Sequence, residues 1–451
     1  MRFKSLLLIV AILSTNVFAQ SNADTLSFSL EDAMSYASKH AYQKISSELD
    51  IKSARKKLWE TIASGLPQID FSAQYNHSID VPVSLLPAEI IPEDMLPPGI
   101  GPGDKVPISF STAYDGSYSV SAMQMIFKGS YFVGLEATKV FLDLTRHQDE
   151  KTEIQIRDAV AKAYFLVLAA RENYNAFKEN LEINKGTLKE TEAMFDNGFR
   201  ESMDVSQIKL MVREAEKQIV ETKRNEEVAL AVLRFSMGLD EDRQLILTDK
   251  LETLSQRLVE QQETEKWAPV EHIDYKIANT NAESQRLLLK NAKAQYLPEI
   301  SAFYTYQKSG YGDSWNIFKE QWYKAQFVGI TVSMPLFSSG MRHAQVQQQK
   351  LAWDKSLNEQ QQTLRNIQTQ SLTALTNYYS ALDQLDIAKE SKALAEDIYS
   401  KTRVKFSNGI VGSFELNQLQ GQFVQAQINY VNAILNLMNA KIDYLKAIGK
   451  L

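Results

Sequence analysis

From Gln68 to Asp80 hydrophobic and polar residues alternate almost without a break. Ile69, Phe71, Ala73, Tyr75 and Ile79 share one side with His77, and Gln68, Asp70, Ser72, Gln74, Asn76 and Ser78 share the other. A period of two predicts a β-strand with one apolar and one polar face. The pattern returns three times. At 113–126, Tyr114, Gly116, Tyr118, Val120 and Ala122 oppose Asp115, Ser117, Ser119 and Ser121. At 299–308, Ile300, Ala302, Tyr304 and Tyr306 alternate with Ser301, Phe303 and Thr305, and at 323–336, Val328, Ile330, Val332 and Met334 alternate with Phe327, Gly329, Thr331 and Ser333. Elsewhere the period is helical. The run from Phe127 to Asp196 contains no proline and predicts one helix of roughly 100 Å, with Val160, Tyr164, Val167, Ala170, Tyr174, Phe177, Leu181 and Leu188 in its apolar set. Near the C-terminus Leu416, Leu419, Phe423, Ala426, Tyr430, Ala433, Leu437, Ala440, Tyr444 and Ala447 step by three and four, a seven-residue period that predicts a left-handed coiled coil. The matching stripe from Val205 to Leu233 is interrupted by Thr222 and Glu226.

These elements are two copies of one plan. Leu66-Pro67-Gln68-Ile69 matches Leu297-Pro298-Glu299-Ile300, and Gln124 to Phe127 matches Met334-Pro335-Leu336-Phe337. Asn197-Gly198, Ser202, Asp204 and Gln207 match Asn408-Gly409, Ser413, Glu415 and Gln418. Each copy reads as an amphipathic helix ending at Leu-Pro, two strands, a very long helix, an Asn-Gly break and a returning helix. The expected division is residues 20–237 for the first repeat, 238–271 for a joining segment and 272–451 for the second repeat. The first copy is longer because seven of the chain's eleven prolines lie between Pro82 and Pro107. Proline lacks an N–H and resists both helices and central strands, so 81–112 is expected to be a long exposed loop. Its counterpart, about 309–322, holds Trp315 and Trp322. In the joining segment, Arg243 to Thr248 reads as a strand and the remainder as polar.

Alternation alone also suits a soluble sandwich. Strand length favours a transmembrane barrel, as do the tyrosine and tryptophan near strand ends and the Ser, Gln and Asn of the polar faces. Four strands cannot close, and an open edge in lipid strands unpaired N–H and C=O groups. Closure therefore needs several copies. Three give twelve strands and two give eight. The other reading, from a different class, is a secreted coiled-coil scaffold or adhesin with a small soluble β domain.

Composition narrows this further. Arg2 and Lys4, the apolar run Leu6–Leu13 and Val17-Phe18-Ala19 form a signal-peptide pattern over residues 1–19. Its removal changes the net charge from −6 to −8, which argues against nucleic acid as a partner. The chain has no cysteine, excluding disulfides, thiol catalysis and Cys-ligated zinc. No later segment is apolar for long enough to span a bilayer as a helix. The histidines, His40, His77, His147, His272 and His343, are scattered and lack ligand spacing. There is no phosphate loop and no nucleophile motif, so no catalytic, cofactor or metal site is expected and the chain does not read as an enzyme. Gln345, Gln347, Gln348, Gln349, Gln360, Gln361 and Gln362 crowd one helix, as a solvated face or as the wall of an aqueous conduit.

The duplicated order, with MPLFSSG (Met334 to Gly340) and the two NG-x3-S-x-[DE] tips, resembles the TolC-like outer membrane efflux proteins across essentially the whole mature chain. The resemblance implies a mainly α fold with a membrane β-barrel part. It implies a homotrimer whose twelve-stranded barrel continues into a twelve-helix coiled-coil tunnel through the periplasm. The partners it implies are a periplasmic adaptor (membrane fusion) protein, an inner-membrane pump and outer membrane lipid, with the chain a passive conduit for small molecules or proteins, and 238–271 a belt segment. The helix tips would form the periplasmic entrance. Asp204 and Glu415 would constrict it as a gate, with Gln207 and Gln418 where some members carry a second aspartate. Asn197, Gly198, Phe199, Asn408, Gly409 and Ile410 would be the adaptor-docking tips, with asparagine where the best-known member has valine. Independently of any family, Asn-Gly adopts positive φ and ends a helix. Ser202 and Ser413 are expected to cap the next helices, with Asp204 and Glu415 in their first turns.

Overall fold

The computed structural model describes residues 26–260 and 267–451. The signal-peptide pattern lies outside them. In chain order the elements are β1 (Leu26–Phe28), α1 (Leu30–His40), α2 (Tyr42–Ala63), β2 (Gln68–His77), β3 (Ser84–Pro87), β4 (Lys105–Ile108), β5 (Tyr114–Lys128), α3 (Gly129–Asp196), α4 (Ser202–Met237), β6 (Leu245–Leu247), α5 (Leu251–Glu260), α6 (Ile273–Ala294), β7 (Glu299–Gly312), β8 (Trp322–Ser333), α7 (Met341–Ser407) and α8 (Ser413–Ala447). The duplication is present as expected, with the two longest helices, of 68 and 67 residues, in equivalent places. No described helix is long and apolar enough to cross a membrane.

The chain divides into two compact units that cut across the sequence repeats. One takes residues up to Ser47 with Asp149–His272 and Asn366–Leu451, the other Glu48–Gln148 with Ile273–Arg365. The second unit holds a four-stranded antiparallel sheet in the order β2-β5-β7-β8. Register pairs Phe71 with Val120, Val120 with Tyr306 and Tyr304 with Val328. The apolar faces read from each strand therefore merge into one. That face is uncovered over most of its length, with Ile69, Phe71, Val328 and Ile330 all exposed, while at its far end Ile317 and Trp322 pack over Gly116. On the opposite face Ser72 and Ser119 hydrogen bond at 2.7 Å and Asn76 donates to Asp115 at 2.9 Å. The outer edges of β2 and β8 have no partner strand among the described residues.

Strand ends differ from expectation in physically simple ways. β2 stops at His77, before Ser78–Asp80, and β7 extends to Gly312. Copy one passes from β5 into α3 without a break, through a register shift between Met125 and Phe127. In copy two the strand ends at Ser333, two residues before Pro335, whose nitrogen cannot donate. The proline-rich loop is not structureless. β3 and β4 pair antiparallel inside it, Leu86 opposite Val106. Pro87 and Pro107 are tolerated because each strand of a two-stranded ladder has a free edge.

The other unit is a helical bundle around α3, α4, α7 and α8. Its main core includes Tyr164, Phe165, Leu233, Met237, Leu254, Ile434 and Met438. The joining segment contributes more than a strand. β6 pairs in parallel with β1, Leu26 opposite Leu245, and the stretch read as polar contains α5, which buries Leu251, Leu254 and Leu258. Asp249 fastens this junction. It accepts from the Leu30 N–H and the Tyr164 hydroxyl, both at 2.9 Å, and from Arg257 at 3.2 Å. Burial, then the bond to Asp249, push the Tyr164 hydroxyl pKa strongly upward. The α4 apolar stripe is interrupted where expected, and both polar residues are satisfied there. Thr222 bonds back to the Gln218 carbonyl and Glu226 pairs with Arg171 at 3.0 Å. On α8 the buried face is wider than the heptad and adds Val431, Ile434, Met438 and Ile442.

Candidate functional site: the paired hairpin tips

Each long helix ends in the same way. Asn197 and Asn408 fold their side-chain amides onto the Ala193 and Val404 carbonyls, at 2.7 and 2.8 Å. Gly198 and Gly409 then adopt φ of 78° and 76°, a conformation that costs glycine nothing. Gly198 donates to Phe195 and Phe199 to Met194, and in the second copy Gly409 donates to Phe406 and Ile410 to Lys405, all between 2.8 and 2.9 Å. This is the Schellman arrangement that satisfies the last carbonyls of a helix. Past each glycine the chain presents large apolar side chains to solvent, Phe199 with Met203 and Ile410 with Phe414.

The returning helices begin differently from expectation. Their caps are Glu201 and Gly412, neither with a side-chain cap bond. Ser202 and Ser413 are instead the first helical residues. The Ser413 hydroxyl is turned to the Gln207 side-chain carbonyl, 3.0 Å away, so a bond between the two tips replaces the local cap.

Asp204, Gln207 and Arg200 form a clamp between the tips. Asp204 accepts the Ser413 N–H at 3.2 Å, so a carboxylate from the first tip satisfies the open N-terminus of α8. Arg200 is nearly buried and lies 3.7 Å from Asp204. It donates to the carbonyls of Phe406 and Val411, and its guanidinium sits 4.1 Å above the Phe406 ring. Burial raises the Asp204 pKa, but the Ser413 hydrogen bonds and the Arg200 charge outweigh it and hold the carboxyl below its ordinary range. Thus Asp204 is engaged in the clamp, whereas Glu415 and Gln418 are exposed. Sequence reasoning missed Arg200. The signal was there in the repeat, since Arg200 stands where the second copy has Val411, the residue whose carbonyl it reaches.

Above the clamp the helix seam is polar. Asn184 and Gln420 are buried and joined by a 2.7 Å bond, while Asn180 Oδ1 and Asn184 Nδ2 are buried without a partner. An adjoining cleft of about 260 Å³ is lined by Asn180, Tyr399, Arg403 and Phe423 among others. Among the described residues no group of His, Asp and Glu is placed to hold a metal ion.

A family model described as outer membrane efflux protein matches residues 45–239 and 277–450. A comparison with curated protein sequences gives no match. Among solved structures, the CmeC outer membrane channel of Campylobacter jejuni superposes with a TM-score of 0.70 at 18% identity, covering 93% of this chain and 85% of that one. The outer membrane protein VceC of Vibrio cholerae gives 0.67 at 16% identity, covering 93% and 96%. The open state of the Neisseria gonorrhoeae MtrE outer membrane channel gives 0.66 at 15% identity, covering 93% and 88%. At such identities the likeness speaks for the fold.

Proposed function

The chain belongs to the outer membrane efflux protein family, and from that premise we propose that it is the outer membrane channel of a tripartite export system. Three copies assemble, and the assembly is a passive conduit from periplasm to exterior. The observation that carries this is the open sheet. It has a largely bare apolar face, a hydrogen-bonded polar face and, among the described residues, two unpaired edges, which a bilayer tolerates only in a closed barrel. Three copies of a four-stranded sheet give twelve strands. A soluble β domain would bury its apolar face instead of leaving Ile69 and Val328 bare, so the scaffold reading loses its main support.

The helical unit supports the same assembly. Leu372, Tyr379, Ile387 and Leu394 on α7 are exposed at steps of about two turns, and Leu210, Val228 and Phe235 on α4 are exposed as well. Such stripes suit seams between copies. At the tips, the clamp draws the first and second hairpins of each copy together, and exposed Glu415 supplies the carboxylate ring that constricts the entrance and favours cations. The apolar pairs Phe199 with Met203 and Ile410 with Phe414 meet the adaptor, beside Asn197, Gly198, Asn408 and Gly409. An inner-membrane pump supplies the energy.

The test is direct. Purified protein requires detergent, has a trimer mass by light scattering, and gives a small cation-preferring conductance in planar bilayers. Glu415→Ala raises the conductance and lowers the preference. A detergent-free soluble monomer overturns the channel. A trimer whose conductance and selectivity ignore Glu415→Ala overturns the gate assignment.

A further inference from the structure

The outward face of the sheet carries an unneutralised pair of positive charges. Lys308 on β7 and Lys324 on β8 are direct partners across the antiparallel ladder, so their side chains leave the same face from neighbouring positions. Like charges placed directly opposite one another destabilise a sheet unless something compensates them. Neither lysine has an ion pair among the described residues.

Register shows that the sheet cannot provide the counter-charge. The same face contains Ile69, Phe71, Ala73 and Tyr75 on β2, with Tyr118, Val120 and Ala122 on β5. On β7 and β8 it continues with Tyr304 opposite Val328 and Tyr306 opposite Gln326. The strand carboxylates Asp70, Asp115 and Glu299 all fall on the other face. A β2 strand of a second copy laid against β8 would bring no acid to this face either, in any register that keeps apolar residues outward. Glu320, in the loop after β7, is exposed, and no bond links it to either lysine.

The position of the pair identifies what compensates it. The helices join the sheet at the Lys128, Glu299 and Ser333 ends, so the opposite end faces outside. Between Ile300 and Lys308 the strand rises about 27 Å, or about 20 Å of height at the usual tilt. The lysines therefore sit within about 5 Å of the outer rim of an apolar band about 25 Å tall, a gap their long side chains can cross by snorkelling. Aromatic side chains of the interfacial belt surround them. Tyr118 is the β5 neighbour of Lys308 and packs 5.7 Å from Trp322, and exposed Phe318 stacks on Trp322 at 6.2 Å. That is the depth of headgroup phosphates.

We propose that Lys308 and Lys324 together bind a phosphate group of an anionic outer-leaflet lipid, fixing the barrel against a specific lipid and not merely a hydrophobic layer. The inference rests on the barrel reading above. It is tested with the full protein in nanodiscs of zwitterionic lipid, alone or doped with a phosphorylated glycolipid. Recovery of a trimer in the zwitterionic discs tests the barrel itself. In those discs, added phosphorylated lipid raises the thermal midpoint of the wild type by several degrees and co-purifies with it on native mass spectrometry. The double variant K308Q/K324Q inserts equally well but loses the shift and most of the bound lipid, and K308R/K324R retains both. Equal lipid binding by the glutamine variant overturns the proposal. So does a shift produced in full by inorganic phosphate in zwitterionic discs, which would assign an ion and not a headgroup.

Discussion

Arg200 illustrates how one side chain joins two copies of a duplicated motif. Its planar fork reaches two carbonyls of the neighbouring tip while stacking on Phe406, a geometry that lysine cannot reproduce. Arg200→Ala is expected to cost the tip about 1.5–3 kcal/mol. The readouts are faster amide exchange at 405–413 and a larger bilayer conductance, with Arg200→Lys giving little rescue. The pH dependence follows from Asp204. Its folded pKa lies below the unfolded value of about 3.9. Its contribution is therefore complete above that value and is lost only as pH falls through the folded pKa. Protection of the tip amides, relative to their intrinsic exchange at each pH, should stay flat from pH 8 to 5 by this group, then fall below about pH 4, and Asp204→Asn should remove the acid limb. Much of this site was legible. Asn-Gly named both reversals, and the repeat aligned Asp204 with Glu415. What sequence could not supply was their inequality. The carboxylates occupy equivalent positions, yet only Asp204 faces another helix start, because that contact is made across the bundle and leaves no local pattern.

At the scale of elements, periodicity located all four long strands and both long helices because each repeats its signal over many residues. Of the short elements, β6 was legible within Arg243 to Thr248, but α5, β3 and β4 were hidden for a different reason. α5 has only Leu251, Leu254 and Leu258 to mark a face, and β3 and β4 are masked by prolines that would exclude a central strand but not a paired ribbon. The heptad on α8 was also too narrow, since a helix packed on several neighbours buries more than one seam. Its polar interruption at Gln420 is informative. The Asn184–Gln420 bond leaves other amide atoms unsatisfied, so it fixes register at a cost in stability. Gln420→Leu alone strands Asn184 and should destabilise by about 1–3 kcal/mol. Replacing both residues by leucine should recover that loss or exceed wild type, as read by thermal melting of the helical dichroism signal.

For the molecule as a whole, the repeats and the spatial units divide the chain along different lines, and every repeat contributes to both units. The proposed assembly of three copies would draw on the sheet edges and the exposed α7 stripe together. Ile387→Glu, a charge placed in that stripe, is expected to shift the assembly towards monomers in mild detergent, seen by light scattering, while leaving the monomer's helical content unchanged. The junction of β1 with β6 has a further consequence, one of timing. Leu30 bonds to Asp249, 219 residues further along, and Leu26 pairs with Leu245 beside it. As the chain threads out of a translocation pore from its N-terminus, the first strand waits for a partner that emerges more than two hundred residues later. Contacts this distant in sequence form slowly, and an unpaired edge invites mispairing meanwhile. The first repeat is thus latched only when it has been delivered in full, and a chain stalled before residue 245 leaves β1 open for a holding chaperone or a protease to claim.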